Sequence, residues 1–273
     1  MANARSQVVH AAAGFVSILI TGAIMFSGPA QATPYHTSIL SGQDWILELI
    51  NGHPERMHTE LGVRVHVFRR MVSALSKAGM GPSKHVSLEE KLTIFLYASV
   101  TGLSIRHLGE RFQHSNETIS KYFREVLCAL SSAPFYTTYV FLPSSTTSIP
   151  SEIRDNTNFF PFFSGAIGAI DGTHVKCCPS TYERQSARNR KGFVSQNVLA
   201  CCSFDLRFQY VLRGWDGSAA DAAVYNDARQ SDLTIPEGKY YLADAGFGSC
   251  DALLVPFRGV RYHLAEWGRA SVR

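Results

Sequence analysis

The chain has 273 residues, 45% of them hydrophobic and 18% charged, and a formal net charge of +4 with a pI of about 8.7. That composition excludes a disordered chain, a collagen and a coiled coil. At roughly 150 residues per domain, the length suffices for one large domain or two small ones, with a core that needs no disulfide or structural metal. The charge excess is local. Between positions 176 and 191, Lys176, Arg184, Arg188, Arg190 and Lys191 stand against one acid, Glu183, so this stretch alone carries a surplus equal to that of the whole chain. The six cysteines, Cys128, Cys177, Cys178, Cys201, Cys202 and Cys250, form neither a disulfide framework nor a CxxC zinc pattern. They read as reduced, mostly buried thiols of a reducing compartment.

The N-terminus points elsewhere. Arg5 is the only charged residue among the first 38, Ala11 to Ser27 is apolar or small throughout, and Ala30-Gln31-Ala32 resembles a signal-peptidase site. Residues 1–37 read as a signal peptide or a single membrane anchor, against a buried helix or a mis-joined gene start. As a transmembrane span the run sits at the short limit of ~17–25 residues.

Residues 38–142 have helical spacing. Trp45, Ile46, Leu49 and Ile50 mark one helix and Val67, Met71, Val72 and Leu75 another. Ser87 and Glu90 have the spacing of a capping box, opening a helix through Leu92, Phe95, Leu96 and Val100 that Gly102 ends. Ser104 is expected to cap a short helix with Ile105, Leu108 and Phe112 on its apolar side. A turn at Gln113–Ser115 follows. Asn116 then caps a second helix, with Ile119, Phe123, Val126, Leu127 and Leu130 inward and Glu117, Thr118, Lys121 and Arg124 outward. Two short helices joined this way form a helix-turn-helix pattern, with Lys121 and Arg124 as candidate nucleic-acid contacts; the competing reading is a helical hairpin in a structural bundle.

Residues 143–160, dense in Ser, Thr and Pro up to Pro150, read as a linker. Beyond it, residues 161–273 change period. Gly165–Val175, Val198–Phe204, Phe208–Trp215 and Lys239–Ala243 read as strands, Asp205–Arg207 as a hairpin turn and Ala219–Arg229 as a helix. The order β-β-β-α-β is the opening of a ribonuclease-H-like fold, whose first and fourth strands are parallel neighbours about 4.8 Å apart.

Asp171 and Asp244 each end an apolar strand and precede small residues. Carboxylates on adjacent strands could share Mg²⁺ or Mn²⁺ ions, which favour oxygen ligands and act on phosphodiesters in pairs. The competing reading gives each aspartate only a turn or a cap. Asp221, at the start of the following helix, is either a third metal-site acid or a partner of the helix dipole. Asp216, Asp227 and Asp232 read as solvated. Arg184, Arg188, Arg190 and Lys191 lie on a loop that beside a metal site would bind DNA phosphates. His174 either donates to a metal-holding carboxylate or is an ordinary strand residue.

Together, Asp171-Gly-Thr-His174, Arg188-Asn-Arg-Lys-Gly192, Ser195-Gln-Asn-Val198, Gly214-Trp-Asp-Gly-Ser218 with Asp221, and Tyr241-Leu-Ala-Asp-Ala-Gly246 resemble the PIF/Harbinger transposases and the nucleases derived from them. The helical region is similar to the one preceding the catalytic domain in plant and fungal members. The resemblance implies an α+β chain: an N-terminal helix-turn-helix-like domain and an incomplete ribonuclease-H-like catalytic domain. It makes Asp171 and Asp244 the first two acids of a DDE triad, with Asp221 at a further acidic position, and implies a divalent-metal-dependent nuclease acting on DNA in the nucleus. It also implies a separate DNA-binding accessory protein, and no small-molecule substrate; a membrane enters only if residues 1–37 are a true anchor. In the family, the third acid is a glutamate in an Arg-x-x-Val-Glu-Arg-x-Phe-Gly segment. No such segment occurs here, and Glu266 sits in a stretch that precedes it in relatives. The expectation is therefore a truncated, impaired nuclease or a non-catalytic DNA- or protein-binding remnant.

Overall fold

Ser41 opens the first helix of a computed structural model that describes residues 16–17, 34–257 and 259–260. Its hydroxyl accepts from the Asp44 N–H at 3.1 Å, satisfying a backbone donor that the helix start leaves free. The described residues divide into two compact units. One comprises positions up to Val72 together with Gly81–Val126, and the other Ser73–Met80 together with Leu127 onward.

The first unit is helical. Helices α1 (Gly42–Asn51), α2 (Pro54–Leu61), α3 (Val65–Lys77), α4 (Leu88–Thr101), α5 (Ile105–Phe112) and α6 (Asn116–Leu130) follow in order, the last residues of α3 and of α6 falling in the second unit. Their apolar stripes bury Trp45, Leu49, Met57, Leu92, Phe112 and Ile119. Each such side chain contributes roughly 1.5–3 kcal/mol by leaving water. Pro54 suits the first turn of α2, where its missing N–H has no helical partner to lose. Gly102 ends α4 in the left-handed conformation (φ +64°), its N–H donating to Ala98 O.

The expected capping box is half formed. Ser87 Oγ accepts from the Glu90 N–H at 3.1 Å, but the Glu90 carboxylate is buried, 3.0 Å from His114 Nε2. The two-helix unit has its turn where expected, with Gln113 left-handed at φ 57°. Its caps and faces differ from expectation. Ser104 occupies the cap position of α5, but its hydroxyl pairs with His107 Nδ1 at 2.7 Å. Ser115 rather than Asn116 caps α6, accepting from the Thr118 N–H at 3.3 Å. Leu127 and Ile105 are exposed, whereas Tyr122 is buried, its hydroxyl donating to Ser83 Oγ.

In the second unit, short helices α7 (Phe135–Tyr139) and α8 (Ser151–Arg154) precede a five-stranded mixed sheet. Its strands are β1 (Ala166–Lys176), β2 (Ser195–Cys202), β3 (Phe208–Asp216), β4 (Tyr240–Leu242) and β5 (Leu253–Leu254), in the spatial order β3-β2-β1-β4-β5. β1 is antiparallel to β2 and β2 to β3, whereas β4 is parallel to both β1 and β5. The β2–β3 connection is a tight turn: Ser203 N–H donates to Arg207 O, and Leu206 adopts φ 64°. Helix α9 (Asp221–Ser231) makes the crossover to β4 and buries Val224, Tyr225 and Ala228 against Ile170, Leu199, Cys201 and Tyr210 of the sheet. The chain is thus mixed α+β, with helices first and a mixed sheet after them.

Three expectations are corrected. Among the described residues no helix is long and apolar enough to cross a membrane. The transmembrane reading is corrected to that extent; the run Ala11–Ser27 itself lies outside the described residues apart from positions 16 and 17. The cysteines are free, but only Cys201 is buried, and Cys128, Cys178 and Cys250 are exposed. Burial pushes the Cys201 thiol up to about 12, with Cys202 adding to the shift. Finally, Asp227 is half-buried and accepts from Trp215 Nε1 at 2.9 Å, tying the hairpin to α9 rather than standing in solvent, whereas Asp232 accepts from the Tyr210 hydroxyl and stays exposed. Glu266 lies outside the described residues.

Candidate active site

β1 is longer than its parallel neighbour. The pairing of β1 with β4 runs from Ala166 to Ala169, which lies opposite Leu242, whereas its pairing with β2 continues to Lys176. From Asp171 onward the β4 side of β1 is therefore unpaired. Asp171 and Asp244 each lie two residues beyond the Ala169–Leu242 pair. They occupy equivalent positions on neighbouring parallel strands, one within β1 and one just past β4.

Both carboxylates accept from nearby backbone. Asp171 Oδ1 takes the Gly172 N–H at 2.8 Å, and Asp244 Oδ1 takes the Gly246 N–H at 2.8 Å. Partial burial pushes the Asp171 carboxyl above its ordinary value, and the Asp244 and Asp221 carboxylates push it the same way. The Gly172 N–H pulls against them. Asp171 therefore feels both other acids through space.

Asp221 is the first residue of α9 and caps nothing with its side chain. Asn197 of β2 holds it: Asn197 Nδ2 donates to Asp221 Oδ1 at 2.8 Å and to Ala219 O at 3.1 Å. The carboxylate lies against β1, where a Cβ on Gly172 would collide with it. A glycine within a strand commonly marks such a close approach. Successive strand residues leave opposite faces, so Asp221 covers β1 at Gly172, on the face opposite the one that the Asp171 side chain leaves. Accordingly, among the described residues no three His, Cys, Asp or Glu side chains form a ready cation cage.

His174 lies directly opposite Asn197, its Nδ1 3.2 Å from the buried Ser195 Oγ. The basic loop closes on buried Asn189, whose Oδ1 accepts from the Lys191 and Phe193 N–H groups at 3.0 and 3.3 Å. Arg184, Arg188, Arg190 and Lys191 all face outward. Arg188 also donates to Gly192 O, so part of its guanidinium holds the loop together. In the helical unit, Lys121 and Arg124 are exposed and line a groove of about 840 Å³ with Ser104, Arg106 and Ser120.

A family model described as a DDE superfamily endonuclease matches residues 170–270, from just before Asp171 to beyond Asp244. This part of the chain is thus similar to DDE superfamily endonucleases. A rat (Rattus norvegicus) relative named "Putative nuclease HARBI1" is 27% identical over 177 residues, covering 64% of this chain and 50% of the relative. The human (Homo sapiens) protein of the same name is 24% identical over 199 residues, covering 70% and 56%. The chain thus spans about half the length of the curated relatives it matches. A domain of unknown function (DUF8040) matches residues 37–132 of the chain. No solved structure matches it.

Sequence reasoning gave no individual role to Asn197, Ser195 or Asn189. The signal was present in the Ser-Gln-Asn-Val and Arg-Asn-Arg-Lys-Gly motifs, but the partners are far away in sequence: Asn197 meets Asp221 across 24 positions and Ser195 meets His174 across 21.

Proposed function

We propose that this chain carries the core of a divalent-metal-dependent DNA endonuclease on a ribonuclease-H-like sheet. Asp171 and Asp244 are the metal-holding pair, with Asp221 beside them. The observation that carries the reading is the placement of two aspartates at matching positions on neighbouring parallel strands, with a third carboxylate held against the same stretch of β1. The strand order and the crossover helix before β4 support the ribonuclease-H-like assignment.

Asp171 is raised by partial burial first and by its acidic neighbours in addition, which suits a site that takes up cations. The donors are hard oxygens, fitting Mg²⁺ or Mn²⁺ better than a soft metal. When bound, such ions supply Lewis acidity at a phosphodiester. The protein residues bind and orient. Arg184, Arg190 and Lys191, with Arg188 in part, hold DNA phosphates, and His174 with Ser195 supports the β1–β2 edge beside the acids. In the helical unit, Lys121 and Arg124 form a second nucleic-acid contact.

The test is incubation of the 273-residue chain with duplex DNA and Mg²⁺ or Mn²⁺. Cleavage lost in Asp171→Asn and in Asp244→Asn is the expected result; cleavage that survives both sinks the site assignment. A chain that binds DNA and never cuts it is the non-catalytic module instead. Each phosphate contact steepens the salt dependence by ~0.9 in log–log slope. The double variant Lys121→Ala/Arg124→Ala is therefore expected to flatten the slope by about 2, and an unchanged slope removes these residues from the interface.

A further inference from the structure

Helix α3 carries a charge pattern that neither the acidic strand ends nor the two-helix unit uses. From Arg64 to Lys77 the chain holds Arg64, Arg69, Arg70 and Lys77 and no acid, a surplus equal to that of the whole chain. The 176–191 stretch carries the same surplus, so the remainder of the chain is net negative and the excess sits in these two places. Helical periodicity sorts the residues of α3. Phe68 is buried and Val65, Met71 and Val72 are half-buried, which turns His66, Arg69 and Arg70 outward, and all three are exposed. His66 lies three and four positions before the two arginines and so shares their face. Arg64, His66 and Arg69 also line a groove of about 550 Å³ with Gly52 and Pro54, and no acid lines it. Arg64 meets Glu55 at 3.3 Å, an exposed and hence weak pair, whereas Arg69 and Arg70 make no ion pair among the described residues.

Comparison with α6 decides which helix of this unit suits a polyanion better. The groove beside α6 sets Glu117 among Arg106, Lys121 and Arg124, and α6 itself balances Lys121 and Arg124 with Glu117 and Glu125. α3 has no such balance. Its two free cations are arginines, whose planar forks match phosphate oxygens in pairs. Unpaired cations on an exposed face displace the counterions of a nucleic-acid backbone when they meet it. We infer that the outward face of α3, with Arg69 and Arg70 at its centre and Arg64 and His66 at its edge, is a docking surface for the phosphate backbone of duplex DNA. Contacts of this kind fix a protein on the duplex without reading its sequence. The inference rests on the reading above that the chain acts on DNA.

The experiment measures binding of the full chain to a labelled mixed-sequence duplex by fluorescence anisotropy, between about 50 and 200 mM salt. Each phosphate contact contributes ~0.9 to the log–log slope. Arg69→Ala/Arg70→Ala is therefore expected to flatten the slope by about 2, so that over this range the variant loses about tenfold less affinity than wild type. Arg69→Lys/Arg70→Lys keeps both charges and is expected to keep the slope. An unchanged slope in the double alanine variant overturns the inference; that is also the result if the face serves an acidic protein instead of DNA. A lysine variant that flattens the slope as fully as the alanine one overturns it too, because charge would not then be what the face supplies. Should the double alanine variant not fold, Arg69→Ala and Arg70→Ala singly are each expected to remove ~0.9, and no change in either overturns the inference. A wild-type chain that binds no duplex even at the lowest salt overturns the DNA reading itself, an outcome distinct from wild-type binding whose slope the arginine pair leaves intact.

Discussion

The two units of this chain treat charge in opposite ways. In the helical unit the buried charges are answered locally. Lys91, 4% exposed, donates to Glu125 Oε1 at 2.8 Å and to Gly81 O at 2.9 Å, with its ammonium 4.7 Å from the Tyr122 ring centre. Buried Glu90 meets His114 at 3.0 Å. In the sheet unit the charges of interest accumulate. Asp171, Asp221 and Asp244 receive N–H donors but, among the described residues, no ion pair with a cation. The first pattern settles charge inside the fold and so specifies packing. The second leaves negative charge that a cation from outside can answer.

Breaking the first pattern should have the largest effect. Lys91→Ala leaves Glu125 without its partner and Gly81 O without its donor. Because Glu125 stays partly exposed, the loss falls at the low end of that for broken buried pairs, about 3 kcal/mol by urea unfolding. A loss below about 1 kcal/mol would place this pair with ordinary surface bridges and erase the contrast.

Gly172→Ala sharpens the second pattern. The new methyl must displace the Asp221 carboxylate, at an overpacking cost of about 1–3 kcal/mol, and Mn²⁺ affinity falls with it. An alanine variant with wild-type stability and affinity would mean that Asp221 has no fixed place over β1.

The smallest effect should have the opposite sign. The folded-state value of Asp171 lies above its unfolded one. The folded chain therefore holds that proton longer, and stability is lost as pH rises through the folded value. Asp171→Asn carries no such loss and keeps an acceptor for the Gly172 N–H. Without divalent ions it is expected to melt about 1–3 °C above wild type at pH 7, the gap closing below the ordinary aspartate range near 3.9. A lower melting temperature at pH 7 would show that the acids are not in mutual repulsion.

Much of this architecture was legible in the sequence because its signals are local. The change from helical to strand period, the hairpin around Leu206, and the placement of Asp171 and Asp244 at the ends of apolar runs all appear within windows of about ten residues. β1 nevertheless continues past Asp171 to Lys176, since its pairing with β2 outlasts its apolar stretch. What stayed hidden depends on partners distant in sequence. Glu90 looked like a capping residue, but His114, 24 positions away, draws its side chain inward. Asp227 looked solvated until Trp215 came within reach across the hairpin. Between Ser115 and Asn116, two good capping residues compete at neighbouring positions, and composition alone does not choose between them.

The central claim is that Asp171 and Asp244, with Asp221 beside them, make a divalent-cation site. Its most direct test is anomalous diffraction from crystals of the full chain grown with Mn²⁺. The account predicts a manganese peak between the Asp171 and Asp244 carboxylates that is absent from Asp171→Asn crystals. Manganese bound elsewhere, or a peak that persists in that variant, would contradict it.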